Sequence, residues 1–261
     1  MRESVDQLAM IRRNLASIAG GRLLSAAGRV ATGHASLDAA LDGGLACGRV
    51  HELFAAEADD GPSALGFAAM LALRTVGRRA PIFWLRNDEA RRGGTIHAPG
   101  LAELGGDPAG LVLGQAPDAK ALLRSAADAA RCPGLGALVV ECWGKCPELD
   151  LTASRRLTLA TEQSGVTLFL LRLEAEPVPS SAETRWSVGA APSRALEANA
   201  PGPPMFEIEL LRRRAGSAGL RWRLEWDRDQ IIFREPAHVG AVVPFPAGRP
   251  VSAGVELRLS A

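Results

Sequence analysis

The chain has 261 residues, of which 47% are hydrophobic and 23% charged. This composition is typical of a folded globular protein and excludes a chain that is disordered throughout. The 30 basic and 29 acidic residues give a formal net charge of +1, which excludes a strongly basic nucleic-acid coat and an acidic tail for the chain as a whole. The length predicts one main domain with appendages.

No apolar run reaches the roughly 18 residues that a membrane-spanning helix needs, and the first residues lack the apolar segment of a secretory signal. The sequence therefore predicts a cytoplasmic protein without a membrane partner. Four cysteines are then expected as free thiols, since that compartment is reducing. Because no histidine pair lies near them, buried free cysteines are favoured over a metal site. They are Cys47, Cys132, Cys142 and Cys146.

The first predicted element is a helix over residues 3–18. Leu8, Ile11 and Leu15 repeat at helical spacing, which gives the helix one apolar face. We predict that residues 1–31 form an N-terminal helical arm. Its apolar face either packs on its own domain or docks on a partner, and both interpretations stay open.

From residue 32 onward, apolar runs typical of strands alternate with segments typical of helices. The predicted strands are 49–54, 81–85, 110–113, 135–141 and 166–172, with a weaker candidate at 185–188. The predicted helices are 62–76, 119–131 and 151–164. Continuous apolar strands between helices indicate a mainly parallel sheet covered on both faces. We therefore predict an α/β core over residues 32–190.

The sequence after this core has a different pattern. Residues 205–212 and 220–226 alternate apolar and polar side chains with a period of two, and the turn-forming residues 213–219 lie between them. This pattern predicts a β-hairpin. Residues 191–261 are accordingly predicted as a C-terminal loop, a β-hairpin and a flexible tail that begins near residue 235.

A long motif leads into the first core strand. Residues 32–49 follow the pattern T-G-x-x-x-L-D-x-x-L-x-G-G-L-x-x-G-R, which resembles the entry to the RecA-type ATPase core. The order of the segments 111–118 and 138–141 fits the same core. The resemblance covers about residues 32–172 and implies a RecA-like fold.

An active ATPase of this type needs a phosphate loop, G-x-x-x-x-G-K-[ST], after that strand. The loop in this chain is degenerate: it has no lysine, and two aspartates put negative charge where phosphate would lie. Its residues are Ala55, Asp59, Asp60, Gly61, Pro62 and Ser63. Ala55 stands where the first glycine belongs, and Pro62 stands at the lysine position if Gly61 is the second glycine. Proline removes both the cation and a backbone donor, which leaves Ser63 a helix-capping role.

A glutamate, Glu141, ends the strand that would usually end in a magnesium-organising aspartate. With the altered phosphate loop, this predicts a chain that does not hydrolyse ATP and holds no nucleotide cofactor. His51 lies within the predicted first strand and is interpreted as a structural histidine.

The whole chain is similar to the ImuA family, RecA-like accessory proteins of the SOS mutagenesis operon. The resemblance rests on the segments 84–88, 91–94, 97–101, 183–188 and 221–227. It implies a non-catalytic component of damage-induced translesion DNA synthesis. The implied partners are an ImuB-like Y-family polymerase homologue and an error-prone replicative-type polymerase, with RecA as a further candidate.

Two other functions stay open. Division inhibitors of the SulA type also resemble a RecA fold without nucleotide chemistry, although such chains are usually shorter and lack the hairpin. A DNA-dependent ATPase with an unorthodox loop is the third interpretation, and the missing lysine argues against it.

Three arginines, Arg86, Arg91 and Arg92, follow a predicted strand at the carboxyl edge of the sheet, where ligands usually dock. They are candidates for contact with an acidic partner or DNA. The alternative is an internal cluster of ion pairs with Asp88 and Glu89.

Five further cations are candidates for contact with DNA. They are Lys145, which follows the fourth core strand, and the hairpin residues Arg213, Arg214, Arg221 and Arg223. Tryptophans interleave with the hairpin arginines, a combination that can bind single-stranded DNA. Because Trp222, Leu224 and Trp226 fall on the face opposite the arginines, a core role for these tryptophans is favoured, and whether DNA is bound directly stays open.

Overall fold

The computed structural model describes residues 28–76, 81–87, 94 and 96–236. The predicted helix over residues 3–18 and residues 237–261 of the predicted tail lie outside this part of the chain. In the part that is described, no helix has the length and apolar character needed to cross a membrane.

The predicted alternation of strands and helices is present. The strands in the described ranges are β1 (Arg29–Val30), β2 (Leu45–Ala46), β3 (Val50–Ala55), β4 (Ile82–Asn87), β5 (Leu111–Ala116), β6 (Ala137–Trp143), β7 (Thr167–Leu173), β8 (Thr184–Ala190), β9 (Met205–Arg213), β10 (Leu220–Asp227) and β11 (Ile232–Arg234). The helices there are α1 (Ala35–Ala40), α2 (Gly61–Val76), α3 (Ala98–Glu103), α4 (Ala119–Ala129) and α5 (Leu151–Ser164).

The centre of the fold is one sheet of nine strands. Its strand order is β11-β10-β9-β8-β3-β7-β6-β4-β5. The strands from β8 to β5 run parallel, whereas β9, β10 and β11 extend the sheet in antiparallel fashion beyond β8. This confirms the predicted α/β class, the mainly parallel sheet and the C-terminal hairpin. We call β8–β11 the antiparallel wing.

Helices cover both faces of the parallel strands, which is why these strands are apolar without alternation. On one face, Phe67 and Leu71 of α2 belong to a core cluster with Phe169 of β7. On the other face, Leu122 of α4 and Leu157 of α5 belong to a second cluster that includes alternate residues of the same strands. Successive residues of a strand therefore both point into a core.

The long motif before β3 has a structural role. The carboxylate of Asp38 accepts hydrogen bonds from the Thr32 backbone N–H at 2.6 Å, the Thr32 hydroxyl at 2.7 Å and the Gly33 N–H at 3.1 Å. Gly33 has a φ of +102°, and a Cβ at this position would lie 2.7 Å from the carbonyl oxygen of Phe233. The threonine, glycine and aspartate of the motif thus fix one turn against β11.

Two polar contacts join β8 to β3 inside the sheet. Arg185 Nε donates to Glu52 Oε2 at 2.5 Å, with Glu52 only 1% exposed. His51 Nε2 donates to the Ala46 carbonyl at 2.9 Å, so its Nδ1 accepts from the Thr184 hydroxyl at 2.7 Å. His51 is therefore a satisfied structural histidine, as the sequence predicted.

The antiparallel wing packs its apolar face on α2. Trp226 and Phe233 stack edge to face with centroids 4.8 Å apart, and Phe233 lies 5.1 Å from Phe67. Trp226 Nε1 also donates to the Leu104 carbonyl at 3.0 Å. The predicted core role is confirmed for Trp226, which is buried. Trp222 is only half-buried, and its ring centroid lies 6.2 Å from that of Trp186.

We expect Arg185→Ala to lower the free energy of unfolding by about 3–5 kcal/mol, because it leaves the Glu52 carboxylate buried without its cation. The matched control is Arg223→Ala, which removes an exposed ion pair with Glu207 and should cost less than about 1 kcal/mol. Urea denaturation of both variants measures the two effects. Equal losses of unfolding free energy in the two variants would contradict a larger contribution from the buried pair.

Burial lowers the pKa of His51 to about 4. The unfolded chain binds a proton at His51 below a pH of about 6.5, while the folded chain does so only near pH 4. Stability should therefore fall by about 1.4 kcal/mol for each unit that the pH drops between about 6.5 and about 4. Denaturation across that range should show a shallower dependence of the unfolding free energy on pH for His51→Gln than for the wild type.

Candidate functional site

The carboxyl ends of the parallel strands meet at one edge of the sheet, which is where parallel α/β sheets bind their ligands. The turn that links β3 to α2 lies at this edge, and so do Arg86 of β4 and Glu141 of β6, which are neighbours in the strand register. The structure thus brings the predicted phosphate-loop region, the predicted magnesium position and the first of the three candidate arginines to the same edge.

Hydrogen bonds within the protein engage two backbone donors of the turn between β3 and α2, those of Ala56 and Glu57. Asp60 Oδ1 accepts from the Ala190 N–H at 2.8 Å, and Oδ2 accepts from the Glu57 N–H at 3.2 Å. The Ala56 N–H donates to the Val188 carbonyl at 2.9 Å. A phosphate loop presents such donors to its ligand. In this chain the Asp60 carboxylate and β8 take them instead.

The other residues of this turn are placed as follows. Ala55 is the last residue of β3, and Gly61 is the first residue of α2. Asp59 and Pro62 are exposed, and Ser63 is half-buried within the first turn of the helix. The exposed carboxylate of Asp59 therefore adds negative charge to the surface of the turn.

Glu141 is buried, with 2% exposure, and two indoles hold its carboxylate. Trp84 Nε1 donates to Oε2 at 3.0 Å, and Trp143 Nε1 donates to Oε1 at 2.6 Å. Sequence reasoning missed both tryptophans. The partnership between Glu141 and Trp84 joins two strands, so no local pattern in the sequence signals it.

A cavity of about 320 Å³ lies beside Glu141, between α2, β4 and α3. Leu65, Ala69 and Leu101 contribute to its largely apolar lining. Arg86 lies in its wall at 8% exposure and donates to the Gly94 carbonyl. Arg86 is therefore a buried wall residue, while the other two candidate arginines, Arg91 and Arg92, lie outside the described residues, as do Leu8, Ile11 and Leu15.

The hairpin arginines lie in two environments. The side chain of Arg213 is 5% exposed; it donates to the Ala40 carbonyl at 2.7 Å and pairs with Asp42. The hydrogen bond that Arg213 donates to Asp42, together with the charge of Arg213, lowers the pKa of the Asp42 carboxyl below its ordinary value. Arg214 is exposed and lies 3.6 Å from Glu162. The structure thus uses Arg213 to tie β9 to the segment after α1.

Arg221 and Arg223 lie on the open face of the hairpin. Each pairs with the glutamate directly opposite on β9: Arg221 with Glu209 at 2.8 Å, and Arg223 with Glu207. The cross-strand glutamates reduce the positive charge of this face, a feature that sequence reasoning missed although both residues alternate within the predicted strand. Lys145, the remaining candidate, is exposed in the loop after β6.

Two grooves meet at Trp222. One, of about 770 Å³, runs from the turn at Glu57 and Asp60 to the hairpin, and the other, of about 870 Å³, runs from the hairpin toward His34 and Arg194. Arg221 and Arg223 line both grooves. Trp222 Nε1 donates to the Ser36 hydroxyl at 3.1 Å, which fixes the indole between them.

The cysteines of the described chain are free thiols. Within the described ranges, no group of three or more His, Cys, Asp or Glu side chains is arranged to hold a metal ion.

The fold is similar to that of a solved structure. The crystal structure of the RadB recombinase matches with a TM-score of 0.53 and covers 79% of this chain and 99% of its own. At 13% identity this likeness shows the fold alone, and it confirms the predicted RecA-like architecture. No family model matches the sequence.

Two curated proteins are related to the chain in sequence. Both are named Protein ImuA and come from Caulobacter vibrioides, strains NA1000 / CB15N and ATCC 19089 / CIP 103742 / CB 15. Each is 34% identical over 202 residues, which span 72% of this chain and 79% of the relative. This identity and coverage show that the chain belongs to the ImuA family.

Proposed function

We propose that this protein is a non-catalytic accessory factor of SOS mutagenesis that supports the assembly of a translesion DNA synthesis complex. Membership of the ImuA family is the observation that carries the proposal. The RecA-like sheet supports it, because this fold offers a rigid platform whose loops and edges can bind partners.

The absence of ATP hydrolysis is inferred from the turn after β3. Residues 55–63 contain no lysine, and the carboxylate of Asp60 takes two backbone donors at the place where a phosphate loop binds its ligand. A phosphate placed there would also meet the nearby Asp59 carboxylate. Each such contact between like charges at about 4 Å costs about 1 kcal/mol in water and more in a dry site.

The proposed partners are an ImuB-like Y-family polymerase homologue and, in the same assembly, an error-prone replicative-type polymerase, with RecA as a further candidate. Trp222 is the best-supported contact residue of the described chain, since it lies between two grooves and is flanked by Arg221 and Arg223. Tryptophan and arginine are the residues most enriched at the energetic centres of protein interfaces.

The first test is a titration of the purified protein with a fluorescent ATP analogue and Mg²⁺, with and without single-stranded DNA. We expect no saturable binding up to millimolar nucleotide, because Asp60 accepts from the Glu57 N–H and β8 accepts from the Ala56 N–H of the turn. An active RecA-type ATPase serves as the positive control. Tight, magnesium-dependent binding would overturn the non-catalytic interpretation and favour a DNA-dependent ATPase.

The second test is capture of the ImuB-like polymerase homologue by the tagged protein. We expect the wild-type chain to retain it, and we expect Trp222→Ala to weaken binding by roughly thirtyfold or more, since truncation of a tryptophan hot spot costs about 2 kcal/mol or more. Arg214→Ala is the matched control, because it changes an exposed arginine outside both grooves.

Thermal denaturation of both variants checks that each remains folded. Full binding by Trp222→Ala would place the partner surface elsewhere, whereas failure of the wild-type chain to retain the homologue would count against the accessory function itself. Filamentation of undamaged cells on expression, with unchanged mutation frequency, would favour a division inhibitor instead.

A further inference from the structure

The cavity between α2, β4 and α3 opens at the carboxyl edge of the parallel strands, where α/β sheets usually bind ligands. Its rim includes three exposed residues, Pro62, Gly94 and His97. Deeper inside, α2 contributes Gly66 and Ala69, which lie on one helix face. Because glycine and alanine leave the space beside β4 unfilled, about 320 Å³ stays open. This volume suits a compact small molecule.

Most of the cavity lining is apolar. Leu65 contributes from α2, Leu101 contributes from α3, and the buried indole of Trp84 forms part of the wall on the β4 side. Aliphatic side chains offer dispersion contacts to a ligand but no hydrogen bonds, and the Trp84 N–H is already donated to Glu141. The greater part of the cavity therefore favours an apolar group.

Two side chains of opposite charge lie side by side in the same wall. Glu141 of β6 and Arg86 of β4 are register neighbours at 2% and 8% exposure, and both line the cavity. They form no ion pair with each other in the described chain. The hydrogen-bond partners that the structure describes for them are neutral: two indoles for Glu141 and the Gly94 carbonyl for Arg86. Because buried charges are costly unless paired, this wall favours a ligand that carries both signs.

Both charged groups have hydrogen-bonding capacity beyond these contacts. A carboxylate offers about four acceptor sites, and the indole N–H groups of Trp84 and Trp143 each use one site of Glu141. A guanidinium has more N–H donors than one carbonyl can use, and it binds carboxylates through paired hydrogen bonds. An ammonium group can therefore donate to Glu141 while a carboxylate accepts from Arg86.

We propose that this cavity binds a free α-amino acid with an apolar side chain. Glu141 binds the ammonium group, Arg86 binds the carboxylate, and the apolar side chain enters the space lined by Leu65, Ala69 and Leu101. This binding site goes beyond the proposed accessory function, and it depends neither on a partner at Trp222 nor on the backbone donors of the turn after β3. Its test is therefore separate from the nucleotide titration and the capture experiment.

The test is isothermal titration calorimetry of the purified full-length chain with L-leucine and L-phenylalanine. Each amino acid is compared with the amine that lacks its carboxylate and with the acid that lacks its ammonium group, such as phenethylamine and hydrocinnamate. We expect saturable binding of at least one of the two amino acids at millimolar concentration or below. The matching amine and acid should each bind at least about tenfold more weakly, because each leaves one buried charge of the cavity without its partner.

Two variants locate the ligand in the cavity. Glu141→Gln removes the charge that binds the ammonium group and should weaken binding of the amino acid by roughly tenfold or more. Its matched control is Glu103→Gln, which changes an exposed glutamate of α3 outside the cavity lining and should bind as the wild type does. Ala69→Leu keeps a good helix former in α2 and fills the cavity, so it should abolish binding.

Thermal denaturation checks that each variant remains folded, and the Ala69→Leu result stands without the buried change at Glu141. Absence of saturable binding of both amino acids by the wild-type chain would overturn the proposal. Binding of the amine or the acid as tight as that of the amino acid would also overturn it, because the cavity would then recognise an apolar group with one charge or none. Binding that survives Ala69→Leu would place the ligand outside this cavity, with the same consequence.

Discussion

The pairing of β8 with β3 is the constraint on which the rest of the structure depends. β3 has β7 on one side and β8 on the other, so it joins the helix-covered parallel strands to the antiparallel wing. The pairing is reinforced by the Glu52–Arg185 ion pair and by the hydrogen bond from Thr184 to His51. Polar groups buried at this depth are costly unless paired, and a shifted register would separate Glu52 and His51 from these partners.

Strand β8 also forms hydrogen bonds with the turn after β3. The backbone of β8 supplies the Val188 carbonyl to Ala56 and the Ala190 N–H to Asp60. The element that attaches the antiparallel wing therefore uses up donors and acceptors at the edge where a RecA-like sheet would hold its nucleotide. At this turn the edge is a structural joint between β3 and β8.

The arginines of the antiparallel wing pair with acidic residues both inside the fold and on its exposed face. Arg185 and Arg213 pair with acidic residues inside the fold, and the exposed Arg221 and Arg223 pair with glutamates across the hairpin. The open face of the wing is thus nearly neutral, in line with the overall charge of +1. On the opposite face of the same strand, the half-buried indole of Trp222 lies where the two grooves meet.

The sequence by itself determined the α/β class, the parallel core and the hairpin, because hydrophobic periodicity is a local signal. Short motifs are local too: residues 32–49 indicated the RecA-like core, and segments such as 84–88 and 221–227 indicated the family. The sequence also identified His51 as structural and Trp226 as core. Only the tertiary structure decided that β8 lies beside β3, that Trp84 and Trp143 hold Glu141, and that Arg172 lies opposite Cys142. The physical reason is that most of these contacts join distant parts of the chain, whose register is set by the whole sheet rather than by any short segment.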